Sequence, residues 1–348
     1  MRFGAVAENP VEWLIARLNV APRPLIETQM AYTLARLIMV GTKLGVFEVL
    51  ADEPLTAEEV AGRCGTSAVG TDKLLFALAG AGYLSGEDGR YSLTPVTRKW
   101  LLRDSPHSVA DKLLLQFLEW DWVELSEEYV RTGKPLELHS MTNEQEWDLY
   151  QRGMRALANA FAPEAVKRMP VPKGATEMLD IGGSHGYYSV ALCRRHDGLR
   201  STILDLPQAV EAAAPLLEAE GMGERVVHRA GDALTEELGS EVYDLVLIAQ
   251  LVHHFSEAQN RELAARVAAA LRPGGIYAVL DEFRPRDAGQ AGQVGALLEF
   301  YFALTSQSGT WAVEEIADWQ RHAGLRPRRP IRLRTAPGVG LQAAAKAG

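Results

Sequence analysis

From Thr176 onward the chain repeats one grammar: a short apolar run, a turn, an amphipathic helical stretch, then another apolar run. Residues 178–181, 200–204, 225–229, 243–249 and 276–280 read as strands. Helical stretches ending at Arg195 and covering 207–220 and 256–271 lie between them. Short apolar runs separated by helices predict a parallel sheet covered on both faces, an α/β domain. In open sheets of this kind, ligands bind beyond the carboxyl ends of the strands. The residues at those ends are therefore the first place to look for chemistry.

That domain leaves half of the 348 residues unexplained, and a single hydrophobic core stops growing near ~250–300 residues. Residues 1–105 read as a helical domain. Apolar side chains recur at helical spacing between Thr28 and Leu50, and Thr56 with Glu59 forms a capping box. Thr66 or Ser67 starts a further helix over 71–79, and Gly86-Glu-Asp-Gly89 turns between two short apolar runs. Three helices and a small hairpin make a winged-helix pattern, which raises DNA as a ligand. Between Asp52 and Arg90, however, there are seven acids and three bases, and the would-be reading helix is Lys73-Leu-Leu-Phe-Ala-Leu78. A groove-reading helix needs Arg, Lys, Asn or Gln on its exposed face. The net charge of −9 also opposes phosphate backbones and anionic membranes. This domain is expected to bind protein, not nucleic acid. Residues 106–172 read as a helical, aromatic-rich linker and pocket segment, and 173–348 as the sheet domain, closed by a hairpin through Pro337-Gly-Val-Gly340.

Composition adds exclusions. With 47% hydrophobic and 23% charged residues the chain is globular. Cys64 and Cys193 make neither a disulfide framework nor a metal-type spacing, so no metal is expected. Pro10, Glu12 and Arg17 interrupt any leader-like reading, and Arg36 and Lys43 break the longest apolar stretch. A cytoplasmic, reduced protein is expected.

The first strand runs into Asp180-Ile-Gly182-Gly183-Ser-His-Gly186, followed by a helix. Closely spaced glycines let backbone approach a ligand. The spacing is not the dinucleotide fingerprint, and Asp180 would lie where a pyrophosphate would sit. A carboxylate there suits a cationic group such as an amino-acid ammonium. The second strand ends in Asp205, where an acid can hold ribose hydroxyls, and the third is followed by Gly231-Asp232-Ala233. Acids at three successive strand ends describe a nucleoside-plus-amine ligand without phosphate, which is S-adenosylmethionine.

On Leu179-Asp-Ile-Gly-Gly-Ser-His-Gly186, Leu204-Asp-Leu-Pro207, Gly231-Asp232 and Leu271-Arg-Pro-Gly-Gly275, the chain resembles the class I S-adenosylmethionine-dependent methyltransferases. More narrowly, it is similar to small-molecule O-methyltransferases of the caffeate, acetylserotonin and bacterial polyketide-tailoring type. The resemblance covers nearly the whole chain. It implies a Rossmann-like catalytic domain preceded by a winged-helix domain that forms an intertwined homodimer. It also implies contacts from Gly182 and its loop to the methionine part, from Asp205 to the ribose, and from Asp232 with Ala233 to the adenine. Ser184-His185 departs from the glycine that many relatives keep.

The fourth strand runs out into His253-His254-Phe255 before a second capping box, Ser256 to Gln259. Histidine is the usual residue for taking a proton from a hydroxyl near neutral pH. Adjacent residues on an extended strand point apart, so at most one of the two is expected to face the cofactor, and the residues alone leave His253, His254 or neither as base. The resemblance implies His253, oriented by an acid that its pattern puts at Asp281; Glu282, by strand alternation, is expected in solvent. A second acid of the family falls at Thr310, and a lysine often found four before the histidine is Ala249 here. Trp147, Tyr150, Met154, Leu157 and Phe161 form one helical stripe that serves as core or as pocket wall. The resemblance puts Met154 against an aromatic acceptor, with Trp120, Phe117, Phe300, Tyr301 and Trp311 as further candidates. The expected reaction is methylation of a hydroxyl on a small phenolic or polyketide-like metabolite, releasing S-adenosylhomocysteine. Transfer to nitrogen, carbon or carboxylate, use of the cofactor without transfer, and a DNA-binding regulator are the alternatives.

Overall fold

The computed structural model describes residue 4 and residues 6–136, 143–336 and 338–348; Pro337 of the closing turn and residues 137–142 of the middle segment lie outside these. The chain divides into two units, Arg2–Leu118 and Glu119–Gly348.

In the first unit, α1 (Pro10–Arg17) and α2 (Ala31–Lys43) precede α3 (Ala57–Cys64), α4 (Ala68–Gly80) and the hairpin of β1 (Leu84–Glu87) with β2 (Arg90–Leu93). The apolar periodicity of residues 28–50 does not make one helix, because Gly45 takes a left-handed conformation (φ 73°) and restarts the chain as a short helix over Val46–Val49. Both halves of the Thr56–Glu59 capping box form, at 2.8 and 3.2 Å. Ser67, not Thr66, caps α4. α4 turns Leu74, Leu75 and Leu78 inward against Phe47, Leu50 and Leu84. The helix that would read DNA spends that face on the core of its own unit.

The second unit is built on a sheet of order β5-β4-β3-β6-β7-β10-β8, with β9 pairing to β10. Its strands are β3 (Glu177–Ile181), β4 (Arg200–Asp205), β5 (Val226–Ala230), β6 (Tyr243–Ala249), β7 (Leu271–Glu282), β8 (Arg326–Pro327), β9 (Ile331–Arg332) and β10 (Val339–Ala345). β3 to β7 run parallel. The expected closing hairpin is the antiparallel pair β9–β10, and β10 also lies antiparallel to β7. β7 begins at Leu271, earlier than the apolar run suggests, with an irregularity between the pairs at Tyr243 and Leu245. The strand order reverses between β3 and β6, and this is where such a sheet opens a ligand crevice.

Helices α5 (Ala110–Glu124), α6 (Ser126–Thr132) and α7 (Glu144–Arg168) lead into the sheet. α8 (Tyr187–Arg195), α9 (Pro207–Glu218), α10 (Glu257–Ala270), α11 (Ala288–Thr305) and α12 (Val313–His322) follow. Met178, Ile203, Leu245 and Leu247 pack on one face of the sheet; Leu179, Leu204, Val246 and Ile248 pack on the other. This two-sided burial is what the uninterrupted apolar strands predicted. No helix among the described residues is long and apolar enough to cross a membrane.

Leu247 lies on central β6 with no exposed surface. Leu247→Ala should lower unfolding free energy by ~2–5 kcal/mol in a denaturant titration, the usual cost of emptying a tightly packed core site. A loss well under ~1 kcal/mol would mean that β6 is not the centre of the sheet.

Candidate active site

The parallel register brings the carboxyl ends of β3 and β4 level, with Ile181 opposite Leu204 and Gly182 N–H donating to Leu204 O at 2.7 Å. Asp180 is 1% exposed. Its Oδ2 accepts from Ser189 Oγ at 2.6 Å, and Ser189 in turn contacts Ser201. Oδ1 is buried with no hydrogen-bond partner among the described residues. Burial pushes this carboxyl up to about 7, against the Ser189 hydrogen bond and with a further upward push from Asp205. Asp205 accepts from Ser184 N and Leu206 N, both at 2.8 Å, yet burial still raises it to about 6. The loop between them passes through Gly182 (φ 67°), Ser184 (φ 50°) and Gly186 (φ 71°). A Cβ on Gly182 would lie 2.6 Å from Leu251, and one on Gly183 2.6 Å from Asp180 Cγ, so the loop closes directly on its neighbours. Asp232 differs from the other two acids: it is exposed, and its Oδ1 caps the following turn by accepting from Leu234 N at 2.8 Å. Ala233 packs partly buried beside it.

On the other side of β3 from β4, β6 ends and Val252–His254 forms a 3₁₀ turn. His253 is 3% exposed, and its Nδ1 lies 2.9 and 3.1 Å from the oxygens of Asp281, itself 1% exposed at the end of β7. An ionised carboxylate only accepts, so Nδ1 carries the proton and Nε2 is left as the basic nitrogen. The two histidine rings do not point apart as expected. Their centroids are 4.3 Å apart, since at three residues per turn neighbouring side chains are separated by about 120° and not by the half-turn of an extended strand. Glu282 is also not solvated: it is half-buried, and burial with the adjacent Asp281 pushes it up to about 8. Trp311 Nε1 donates to Val252 O at 3.0 Å and Ser308 N to His253 O at 3.4 Å, fixing the 3₁₀ turn from the opposite side.

A family model described as an O-methyltransferase domain matches residues 121–325, which is over half the chain. The chain belongs to the O-methyltransferase family. A second model, an O-methyltransferase dimerisation domain, matches residues 26–103. The enzyme is 27% identical over 338 residues to a 3-hydroxy-5-methyl-1-naphthoate 3-O-methyltransferase from Streptomyces sahachiroi, covering 93% of this chain and 96% of the relative. It is 26% identical over 334 residues to the N,N-dimethyltransferase OxyT from Streptomyces rimosus, with the same coverage. Its fold matches human N-acetylserotonin methyltransferase, solved in complex with SAM, at a TM-score of 0.82 and 18% identity over 99% of this chain and 100% of that one.

The other residues picked out from the methyltransferase's sequence lie as follows. Trp147 is buried and meets Tyr150 edge-on at 5.7 Å on α7; Met154 follows one turn later and is partly buried. Trp120 is partly buried on α5. Phe300 is 40% exposed and meets Tyr129 edge-on, lining an apolar groove with Val123 and Leu297. Trp311 is a core residue packed on Trp319, and Phe117 belongs to the first unit, where Arg36 and Lys43 lie over its ring. Three residues were missed. Phe302, two beyond Phe300, lies 4.5 Å from the His253 ring. Glu299, one turn before it, accepts from the hydroxyl of buried Thr310, so a carboxylate reaches the acid-deficient position from another helix. Glu119 accepts from Tyr301 Oη at 2.9 Å. Only the helical spacing of residues 299 and 302 could have hinted at the first two. Among the described residues no group of three or more His, Cys, Asp or Glu is placed to hold a metal ion.

Asp180 holds its proton more tightly when folded, at about 7, than a free carboxyl does at 3.8. The folded state therefore binds more protons between those values, and stability falls as pH rises through them. Asp180→Asn should raise the melting temperature relative to wild type more at about pH 8 than at about pH 5, where only part of the penalty is present and the gain is smaller. An equal change at both pH values would contradict the buried, cation-free carboxylate.

Proposed function

We propose that this methyltransferase uses S-adenosylmethionine to methylate a hydroxyl of a small aromatic secondary metabolite, with His253 as general base. The observation that carries this reading is the buried His253–Asp281 pair at the sheet's carboxyl edge, at the ends of β6 and β7 and next to β3 of the acidic cofactor crevice. The cofactor fits the crevice on this structure's own terms. Asp180 Oδ1 is a buried acceptor with no partner among the described residues, placed for an ammonium. Asp205, at the next strand end, offers a carboxylate to ribose hydroxyls. The Gly182–Gly186 loop would lie along the amino-acid part, and Asp232 with Ala233 would flank the base. Bound there, S-adenosylmethionine supplies an electrophilic methyl group on a sulfonium and departs as S-adenosylhomocysteine.

The protein's own residues then have two tasks. Asp281 fixes the His253 tautomer and steadies the imidazolium that forms when Nε2 takes the acceptor's proton. A phenol has a pKa near ~10, so its proton must leave as the oxygen attacks. Phe302 packs on the imidazole and limits its rotation. Trp147, Tyr150 and Met154, with Trp120 and Phe300 further out, are proposed to hold a flat acceptor, the remaining contribution being proximity and orientation. Residues 26–103 are proposed to join two copies of the chain, in keeping with the apolar side chains that Val11, Leu14, Leu18 and Leu25 expose ahead of that segment and Met30 and Phe76 expose within it.

The names of the relatives keep a second reading open, since one of them methylates nitrogen. A neutral amine attacks without first losing a proton, so a buried base pair favours the hydroxyl. His253→Ala should lower turnover of a phenolic acceptor by ~10²–10⁴-fold, measured with labelled cofactor. Mass spectrometry should show one added methyl on oxygen. Full activity in His253→Ala, or methylation of nitrogen alone, would overturn the base assignment.

A further inference from the structure

Gln151 lies on α7 between Tyr150 and Met154, and it is only 1% exposed. Its Oε1 accepts from the hydroxyl of Ser184 in the cofactor loop. Its Nε2 is buried and has no hydrogen-bond partner among the described residues. Ser184 is held at every polar atom. Its N–H donates to Asp205 at 2.8 Å, its carbonyl accepts from His228 Nε2 at 2.9 Å, and its hydroxyl goes to Gln151. A serine in the left-handed region, where glycine would be relaxed, adds that third tie and nothing else obvious. The tie assigns the Gln151 amide: with Oε1 committed to Ser184, the N–H donors of Nε2 are left free of protein partners among the described residues, on a side chain tied to the cofactor loop.

The chemistry of that occupant follows from its neighbours. A buried donor without a partner calls for an acceptor oxygen. Asp180, at the start of the same loop, is matched to an ammonium, so the amino-acid end of the ligand lies here, and its acceptor is the α-carboxylate. Arg155, one turn further along α7, adds positive charge near this loop: it depresses His185, second only to burial in that effect, while its guanidinium pairs with Glu220 and its Nε is buried without a hydrogen-bond partner among the described residues. We propose that Gln151, aimed by Ser184, is a positioning residue that donates to the α-carboxylate of the bound cofactor. Because Gln151 sits within the Trp147–Tyr150–Met154 segment, the same contact ties the helix that faces the acceptor to the occupied cofactor loop.

The inference rests on the cofactor assignment above, and calorimetry on the full chain separates the two. The probes are S-adenosylhomocysteine and its decarboxylated analogue, which keeps the amine and lacks the carboxylate. Gln151→Met, of similar shape but without a donor, should weaken S-adenosylhomocysteine binding about tenfold or more, the worth of a hydrogen bond to a charged group, and leave the decarboxylated analogue unchanged. Gln151→Glu should do the same, with the acid in place of the amide opposing a carboxylate but not an amine. Ser184→Ala should give a smaller loss, again confined to the carboxylate-bearing ligand. Equal losses for both probes in these variants would reduce Gln151 to a packing role and overturn the proposal, as would no loss for either. Failure of the wild-type chain to bind either probe would instead overturn the cofactor assignment itself.

Discussion

Two carboxylates stand side by side at the ends of neighbouring strands, buried enough that both hold protons far above the ordinary carboxylate range. Ionising them without a cation nearby opposes folding, and ordinary packing would have removed them. The sheet nevertheless presents Asp180 and Asp205 near the carboxyl ends of paired strands, Asp205 two residues beyond the partner of Asp180, and the loop after Asp180 is shaped so that a Cβ at Gly182 or Gly183 would collide with Leu251 or Asp180. The crevice suits a ligand that brings positive charge and hydroxyls. This cost at the sheet edge sets the cofactor, and the cofactor in turn sets where an acceptor must lie.

The proposed base is built by the same sheet. β6 and β7 end one strand apart, so that a turn after one and an acid on the other meet at hydrogen-bond distance. Nothing local in the sequence around His253 supplies Asp281, which lies 28 residues away. The pairing of two parallel strands brings them together. Trp311, Ser308 and Phe302 then fix the turn from a third and fourth segment. Proton transfer needs the imidazole held within a few tenths of an ångström, and these contacts from separate segments constrain it on several sides.

What the sequence reveals follows from the range of the interactions. The strands, the capping boxes at Thr56 and Ser256 and the glycine loop are set by near neighbours, and they could be read to within a few residues. Asp180 and Asp205 were legible because they terminate strands, where topology gives them an address, and Asp281 because the family's pattern lands on it. The facing rings of His253 and His254 were not, since a strand reading has no place for a 3₁₀ turn. Glu299 and Phe302 were missed because α11 meets the site by packing, which leaves no periodic mark distinct from that of any apolar helix. The Ser184–Gln151 tie spans 33 residues between a loop and a helix interior, and Ser184 showed in the sequence only as a departure from glycine.

The central claim is that the acidic crevice selects a cationic, phosphate-free nucleoside. The most direct measurement is a calorimetric comparison of S-adenosylmethionine with NAD on the wild-type chain near neutral pH. Saturable binding of S-adenosylmethionine, with none for the dinucleotide under the same conditions, is the predicted result. Saturable binding of NAD with no heat from S-adenosylmethionine would contradict it.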